Sequence, residues 1–263
     1  MYAFEYQRPS SVQDAVAAVK ASEDGKFLAG GQTYIPTLKQ RLAQPSALID
    51  LGAISELKGI REEGGKVVIG AMTPHADVAE SGIVEEKIAG LAYLASRIGD
   101  PQVRHRGTIG GSIANNDPTA CYPAALVALG ATVQTDRREI AAEDFFTGMF
   151  ETALEDDELV IAVHFPVPEK SAYAKFANPA SRYAIVGVFV AMTSDGPRVA
   201  VTGAGPCVFR ASSIEQAIAS GGAEAIDGAT VDGSDFNEDI HASAAYRAHL
   251  VKVMAKRAMM ALA

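Results

Sequence analysis

Cysteine is scarce in this chain of 263 residues, with only Cys121 and Cys207. A disulfide framework or a four-cysteine iron–sulfur site needs more, so any iron–sulfur chemistry belongs to another chain. Positive charge is also in short supply: the formal net charge is -9. That argues against a general nucleic-acid binder, because such proteins displace phosphate counterions with an excess of Lys and Arg. The local exception is Arg97, Arg104, His105 and Arg106, which reads either as a phosphate-attracting cluster ahead of a glycine pair or as a solvated surface patch. No stretch of about eighteen apolar residues occurs, so no membrane span is expected. The opening residues, MYAFEYQRPSS, lack the basic start and apolar run of a secretory signal, and a cytoplasmic protein is the default expectation. His75, His105, His164, His241 and His249 show no metal-ligand spacing, so no metal site is expected. There is no low-complexity tract and no internal repeat.

What remains is ordinary globular composition, almost half apolar, in a chain long enough for two or three packed subdomains. Val12, Val16 and Val19 after Ser11 predict a short amphipathic helix with Gly25 as its stop. FLAGG reads as a strand running into a glycine turn, and Ile35, Leu38 and Leu42 mark one face of a second helix. ALIDL and KVVIGAM read as strands, with GIREEGG as a polar connection between them. Ile88, Leu91, Leu94, Ala95 and Ile98 predict a single helix over residues 85–99, ended by Asp100-Pro101. VRHRGTIGGSIANNDPTACYP is rich in turn formers and reads as a long functional loop. After it come a helix (PAALVALG), a strand (ATVQT) and a half-buried strand (ELVIAVHFP). Pro166 and Pro168 mark a domain boundary. Beyond them, two strands join through Asp195-Gly196 as a hairpin, and the last helix runs from about Ala242 to Met260.

Two segments carry chemistry: Ala29-Gly30-Gly31-Gln32-Thr33 and Thr108-Ile109-Gly110-Gly111-Ser112. Paired glycines let the backbone turn through positive φ and gather amide N–H groups into an anion-binding concavity, for which a pyrophosphate is the natural guest. A helix opening at the pair adds its unpaired amides. The plain alternative for each is a tight turn. Neither pair fits a P-loop or the G-x-G-x-x-G pattern, yet both have a similar polar follow-up, which suggests two grips on one extended ligand.

AGGQTYIPTLKQRLAQPSALIDL, IGDPQVRHRGTIGGSIANNDPTACYPAAL and KFANPASRYAIVGV resemble the FAD-binding, or medium, subunit of molybdenum hydroxylases. That family includes bacterial carbon monoxide dehydrogenase and the flavin domain of xanthine dehydrogenase. The resemblance runs from YQRPSSVQDAV to VFRASSIEQAI. It implies an α+β fold with a two-part N-terminal FAD-binding domain of the PCMH or vanillyl-alcohol-oxidase type, residues 1–55 and 56–167. A smaller C-terminal domain of antiparallel sheet and helices, 168–263, follows. By the same resemblance Ala29, Gly30, Gly31, Gln32, Thr33, Tyr34 and the backbone as far as Ile35 wrap the FAD pyrophosphate. Thr108, Gly110, Gly111 and Ser112 support the pyrophosphate and ribityl region. Val160 offers backbone contacts to the flavin ring or is plain core strand. Lys175 is a charge beside the ring or a solvated lysine, and Tyr183 stacks on the ring or packs in the core.

Two residues depart from the family pattern. Ser112 stands where many relatives have Asn, and Cys121 where many have an Asp that bonds cofactor hydroxyls. A thiol is a poor acceptor, so Asp117 or a water molecule is expected to take that contact. The implied function is FAD-mediated electron transfer with no catalytic side chain. The implied partners are a molybdenum-cofactor large subunit and a 2Fe-2S small subunit, in a heterotrimer that dimerises. The alternatives are a freestanding FAD-dependent oxidoreductase and a scaffold subunit that has lost its flavin.

Overall fold

The computed structural model describes residues 1–262; residue 263, the last of the expected C-terminal domain, lies outside the described residues. The chain opens as β1 (Glu5–Gln7), α1 (Val12–Ala21), β2 (Gly25–Leu28), α2 (Tyr34–Lys39) and β3 (Ala47–Asp50). β3 lies between β1 and β2, parallel to both. Ser11 Oγ accepts the Asp14 N–H at 3.1 Å and starts α1, whose Val12, Ala15 and Val19 pack with Ile49 of β3. The helix stops at Ser22, and Gly25 instead begins β2. α2 is shorter than the apolar spacing suggested: Arg41 turns the chain at φ 63°, and Leu42 is left exposed.

A five-stranded antiparallel sheet follows, built from β4 (Ile60–Glu63), β5 (Lys66–Gly70), β6 (Thr132–Thr135), β7 (Glu139–Ala141) and, later in the chain, Val160–Pro166. The polar run GIREEGG is therefore not a connection. Its Ile60–Glu63 portion pairs with β5 through a turn in which Gly64 and Gly65 both take positive φ, the backbone that a tight hairpin demands. Being an edge strand, β4 keeps Arg61, Glu62 and Glu63 in solvent, which hides its strand signal.

Between β5 and β6 lie α3 (His75–Glu80), α4 (Gly82–Lys87), α5 (Ala89–Ser96), α6 (Pro101–Arg104), α7 (Ile109–Asn115) and α8 (Tyr122–Leu129). The single helix expected over 85–99 is two, because Ile88 breaks the spiral at φ -143°, ψ 62°. Its side chain is still buried with Leu91, Leu94 and Ala95, so the apolar stripe survives the break. The long loop expected over residues 103–123 contains the end of α6 and all of α7. Two glycines in the first turn of α7 lower its intrinsic helix propensity by roughly 1 kcal/mol each, and this masked it. After β7 come α9 (Ala142–Phe145), the hairpin β8 (Phe146–Gly148) and β9 (Glu151–Thr152), and β10 (Val160–Pro166), the central strand of the sheet.

The last sheet is an antiparallel meander of β11 (Lys170–Ala177), β12 (Ala184–Thr193), β13 (Gly196–Thr202) and β14 (Phe209–Arg210). Its hairpin turns at Asp195-Gly196 as expected, with Gly196 at φ 111°. Side chains alternate across it. Tyr173, Phe189, Ala191 and Ala200 join the core of α5 and α8. Val188, Val190, Val199 and Val201 pack under α10 (Ser212–Ala225) and α11 (Ala244–Ala261). α5 and α8 thus share one core with both antiparallel sheets, which brings Cys121, just ahead of α8, beside Lys175 of β11.

Candidate cofactor site

The elements enclose a cavity of about 640 Å³, a size that suits a cofactor. Its wall carries Ala29, Gly30, Gly31, Gln32, Thr33 and Tyr34 from the β2–α2 segment, and Thr108, Gly110, Gly111 and Ser112 from the start of α7. Asp117, Val160, Lys175 and Tyr183 complete the expected set, and Cys121, expected to lose its cofactor contact, also lies on the wall. Ile35 is the one expected residue that does not line it. Its N–H bonds to Gly31 O at 3.1 Å, and its side chain occupies the space where a Cβ on Gly31 would stand, 2.6 Å from Cδ1.

The two glycine pairs meet: a Cβ on Gly111 would stand 3.2 Å from that of Ala29. Their backbones are used differently. Among the described residues, the amides of Gly30, Gly31, Gln32, Thr33 and Tyr34 make no hydrogen bond within the protein. Gly31 takes φ 73°, which favours glycine there, and a Cβ on Gly30 would collide with the Arg106 carbonyl, which requires it. Five successive unpaired N–H groups on a cavity wall form a ready anion cradle.

The second pair has no such capacity, which corrects the expectation of a second amide nest. Ile109 N–H bonds to Thr73 O (3.2 Å), Gly110 N–H to Ala71 O (2.8 Å) and Ser112 N–H to Thr108 O (3.0 Å). Gly111 N–H bonds to Thr108 Oγ1 at 3.2 Å. These glycines serve close approach instead: a Cβ on Gly110 would stand 2.6 Å from Ala71 Cβ and 2.7 Å from Ala71 O.

The cluster Arg97, Arg104, His105 and Arg106 contributes no residue to the cavity wall, and Arg97, His105 and Arg106 are exposed, which favours its surface-patch reading. Arg104 Nη1 donates to Ile98 O and Gly99 O, and Arg97 lies over the Tyr93 ring. The cations on the wall are Lys26, Lys175 and Arg182. Lys26 already pairs with Asp24 at 3.1 Å.

Asp117 Oδ1 accepts from Thr119 N–H (2.8 Å) and Thr119 Oγ1 (2.6 Å), leaving its other oxygen for a ligand. Half-exposed Tyr183 has its phenol pKa raised by burial, then by Asp117 and Cys121. Val160 opens β10 beside a register shift against β6 between Val160 and Ala162, an irregularity of the kind that re-aims backbone near sites. Buried Glu158 on the wall is held to a pKa of about 2, chiefly by its hydrogen bonds from Arg138.

Several wall residues gave no sequence signal, among them His75, Ile98, Gly99, Val103, Glu158 and Arg182. His75 is buried, its Nδ1 has no partner, and its pKa falls to about 4 through desolvation, then through Arg104. Its backbone N–H bonds to Gly107 O at 2.9 Å, and a Cβ on Gly107 would stand 2.7 Å from its Nε2. No spacing rule links His75 to residue 107; only the Pro74–Thr108 bridge does.

The model of the FAD binding domain in molybdopterin dehydrogenase matches residues 2–168. The carbon monoxide dehydrogenase medium chain of Hydrogenophaga pseudoflava is 37% identical, with 97% of this chain and 96% of the relative covered. The nicotine 6-hydroxylase medium subunit of Paenarthrobacter nicotinovorans is 35% identical, with 97% and 95% covered. Among solved structures, reconstituted CO dehydrogenase from Oligotropha carboxidovorans superposes with a TM-score of 0.92 at 35% identity, covering 100% of this chain and 99% of that one. The chain is an oxidoreductase subunit that belongs to the family of FAD-binding medium subunits of molybdenum hydroxylases.

Proposed function

We propose that this chain is the exit station of a three-subunit molybdenum hydroxylase, taking electrons from 2Fe-2S clusters on a small subunit and passing them to an external acceptor. A large subunit carrying the molybdenum cofactor oxidises the primary substrate. When bound, FAD supplies a ring that exchanges one or two electrons; the protein supplies orientation, electrostatics and access. The observation that carries this reading is the row of unpaired amides from Gly30 to Tyr34 on the wall of a cofactor-sized cavity. Those amides hold the diphosphate. Thr108, Gly110, Gly111 and Ser112 form the surface beneath the diphosphate and ribityl chain, with shape rather than amide donors. The free carboxylate oxygen of Asp117 accepts from a cofactor hydroxyl, the role that Cys121 cannot fill. Val160, Lys175 and Tyr183 surround the ring end. The sheets support residues 1–55 and 56–167 as the two parts of the FAD-binding domain and 168–263 as a third unit, since they end at Asp50, begin again at Ile60, and begin once more at Lys170.

The test uses the complex pulled down with its native partners. Stripping FAD should abolish reduction of the external acceptor while the primary substrate still reduces the clusters, and added FAD should restore it. Acceptor reduction that persists without flavin contradicts the electron-exit role.

A further inference from the structure

The side chain of Lys175 rises from β11 opposite Gly187, into a position where all three of its ammonium protons find acceptors. Nζ lies 2.7 Å from Arg97 O, 2.9 Å from Arg182 O and 3.6 Å from Cys121 Sγ. An ammonium has three donors, so none is left over for a ligand. The acceptors come from separate stretches of chain. Arg97 is the residue that closes α5, where carbonyls point out of the helix and favour a cation. Arg182 belongs to the β11–β12 turn and sits at φ 63°, a left-handed backbone that a non-glycine residue keeps only when its surroundings impose it.

The same turn is folded on Asn178. Its Oδ1 accepts from Ala180 N–H and Ser181 N–H, and its backbone bonds to Tyr183 O and Arg182 N–H. A second tie crosses between the two stretches, from Arg182 Nη1 to Gly99 O at 3.4 Å. Ile98, Gly99, Ser181, Arg182 and Tyr183 all line the cavity.

We propose that Lys175 is a positioning residue, a latch that fastens the 97–99 segment to the 178–183 turn and so holds Tyr183 in place at the cavity wall. Its charge still acts at a distance, but its hydrogen bonds belong to the protein. FAD retention then depends on how firmly the two segments are fastened, an inference that rests on the FAD site proposed above.

Two readouts on the full chain test the latch. In the cofactor-free protein, Lys175→Met should speed tryptic cleavage after Arg182 at least fivefold, because the turn has lost its anchor. In the FAD-loaded protein the same variant should release flavin at least tenfold faster, followed by the rise in flavin fluorescence. Lys175→Arg, which restores charged donors to the two carbonyls, should recover most of both losses. Arg182→Gly keeps the positive φ while removing the tie to Gly99, and should speed FAD release by a smaller factor. Unchanged cleavage after Arg182 in Lys175→Met overturns the latch, as does faster FAD release unaccompanied by faster cleavage, which assigns Lys175 to direct contact with the flavin. A wild-type chain that retains no FAD sinks the site reading instead, and leaves the cleavage test valid.

Discussion

Gly30-Gly31 and Gly110-Gly111 are the same dipeptide, each followed by polar side chains, on one wall of one cavity. The first pair sits in a turn whose amides are unpaired; the second sits inside a helix whose amides are all taken by Ala71, Thr73 and Thr108. One pair offers hydrogen bonds to a ligand, and the other offers the absence of side chains so that α7 can press against Ala71 and Ala29. A glycine pair therefore reports that backbone must come close to something. Whether that partner is a ligand or the protein is decided by which carbonyls reach its N–H groups.

The comparison makes four variants unequal. The largest effect is expected for Gly110→Ala. Its methyl would meet Ala71 backbone at under 3 Å, and overpacking of this sort costs about 3 kcal/mol. The melting temperature of the cofactor-free chain should fall by roughly 8 °C, and equal melting of variant and wild type would show that α7 has slack.

Next comes His75, which packs against the Gly107 backbone that in turn seats Gly30. The unfolded chain takes up a proton below the ordinary histidine value of 6.5, whereas the folded chain refuses it until about pH 4. Wild-type stability should therefore fall as the pH drops from 6.5 to 4 by on the order of 3 kcal/mol more than that of His75→Leu. Parallel denaturant midpoints for the two proteins across that window would mean that His75 is not kept neutral by burial.

Gly31→Ala should act mainly on the ligand. Its methyl meets only side-chain atoms, those of Ile35 and Leu28, while the φ of 73° penalises a Cβ by about 1 kcal/mol. The resulting turn of the 31 and 32 amides should weaken FAD binding about tenfold, worth about 1.4 kcal/mol, as measured by titration of the apoprotein.

The smallest effect is reserved for Gly111→Ala. Its nearest neighbours are Thr108 Oγ1 at 3.0 Å and Ala29 Cβ at 3.2 Å; that crowding and a helix-propensity gain of about 1 kcal/mol nearly offset one another. FAD affinity should change less than threefold, and a loss as large as that of Gly31→Ala would erase the distinction between the pairs.

Much of this was legible in advance because it is local. The hairpin at Asp195-Gly196, the helix behind Ser11 and the last helix depend on residues adjacent in the chain, and the structure has them as expected. The α+β class, implied by the family resemblance, is also what the structure has. What misled was non-local. The N–H of Gly110 is consumed by the carbonyl of Ala71, just past β5, β4 is polar because it is an edge strand, and Arg104 is occupied by carbonyls of the segment before α6. His75 carries no pattern at all: its place on the wall comes from the bridge between Pro74 and Thr108.

Residue-resolved hydrogen exchange on the chain with and without FAD tests the division of labour between the glycine pairs most directly. The amides of Gly30, Gly31, Gln32, Thr33 and Tyr34 should exchange fast in the apoprotein and become strongly protected when FAD binds, while those from Ile109 to Ser112 should be protected throughout and change little. New protection confined to Ile109 through Ser112, with Gly30 through Tyr34 still exchanging freely, would contradict it.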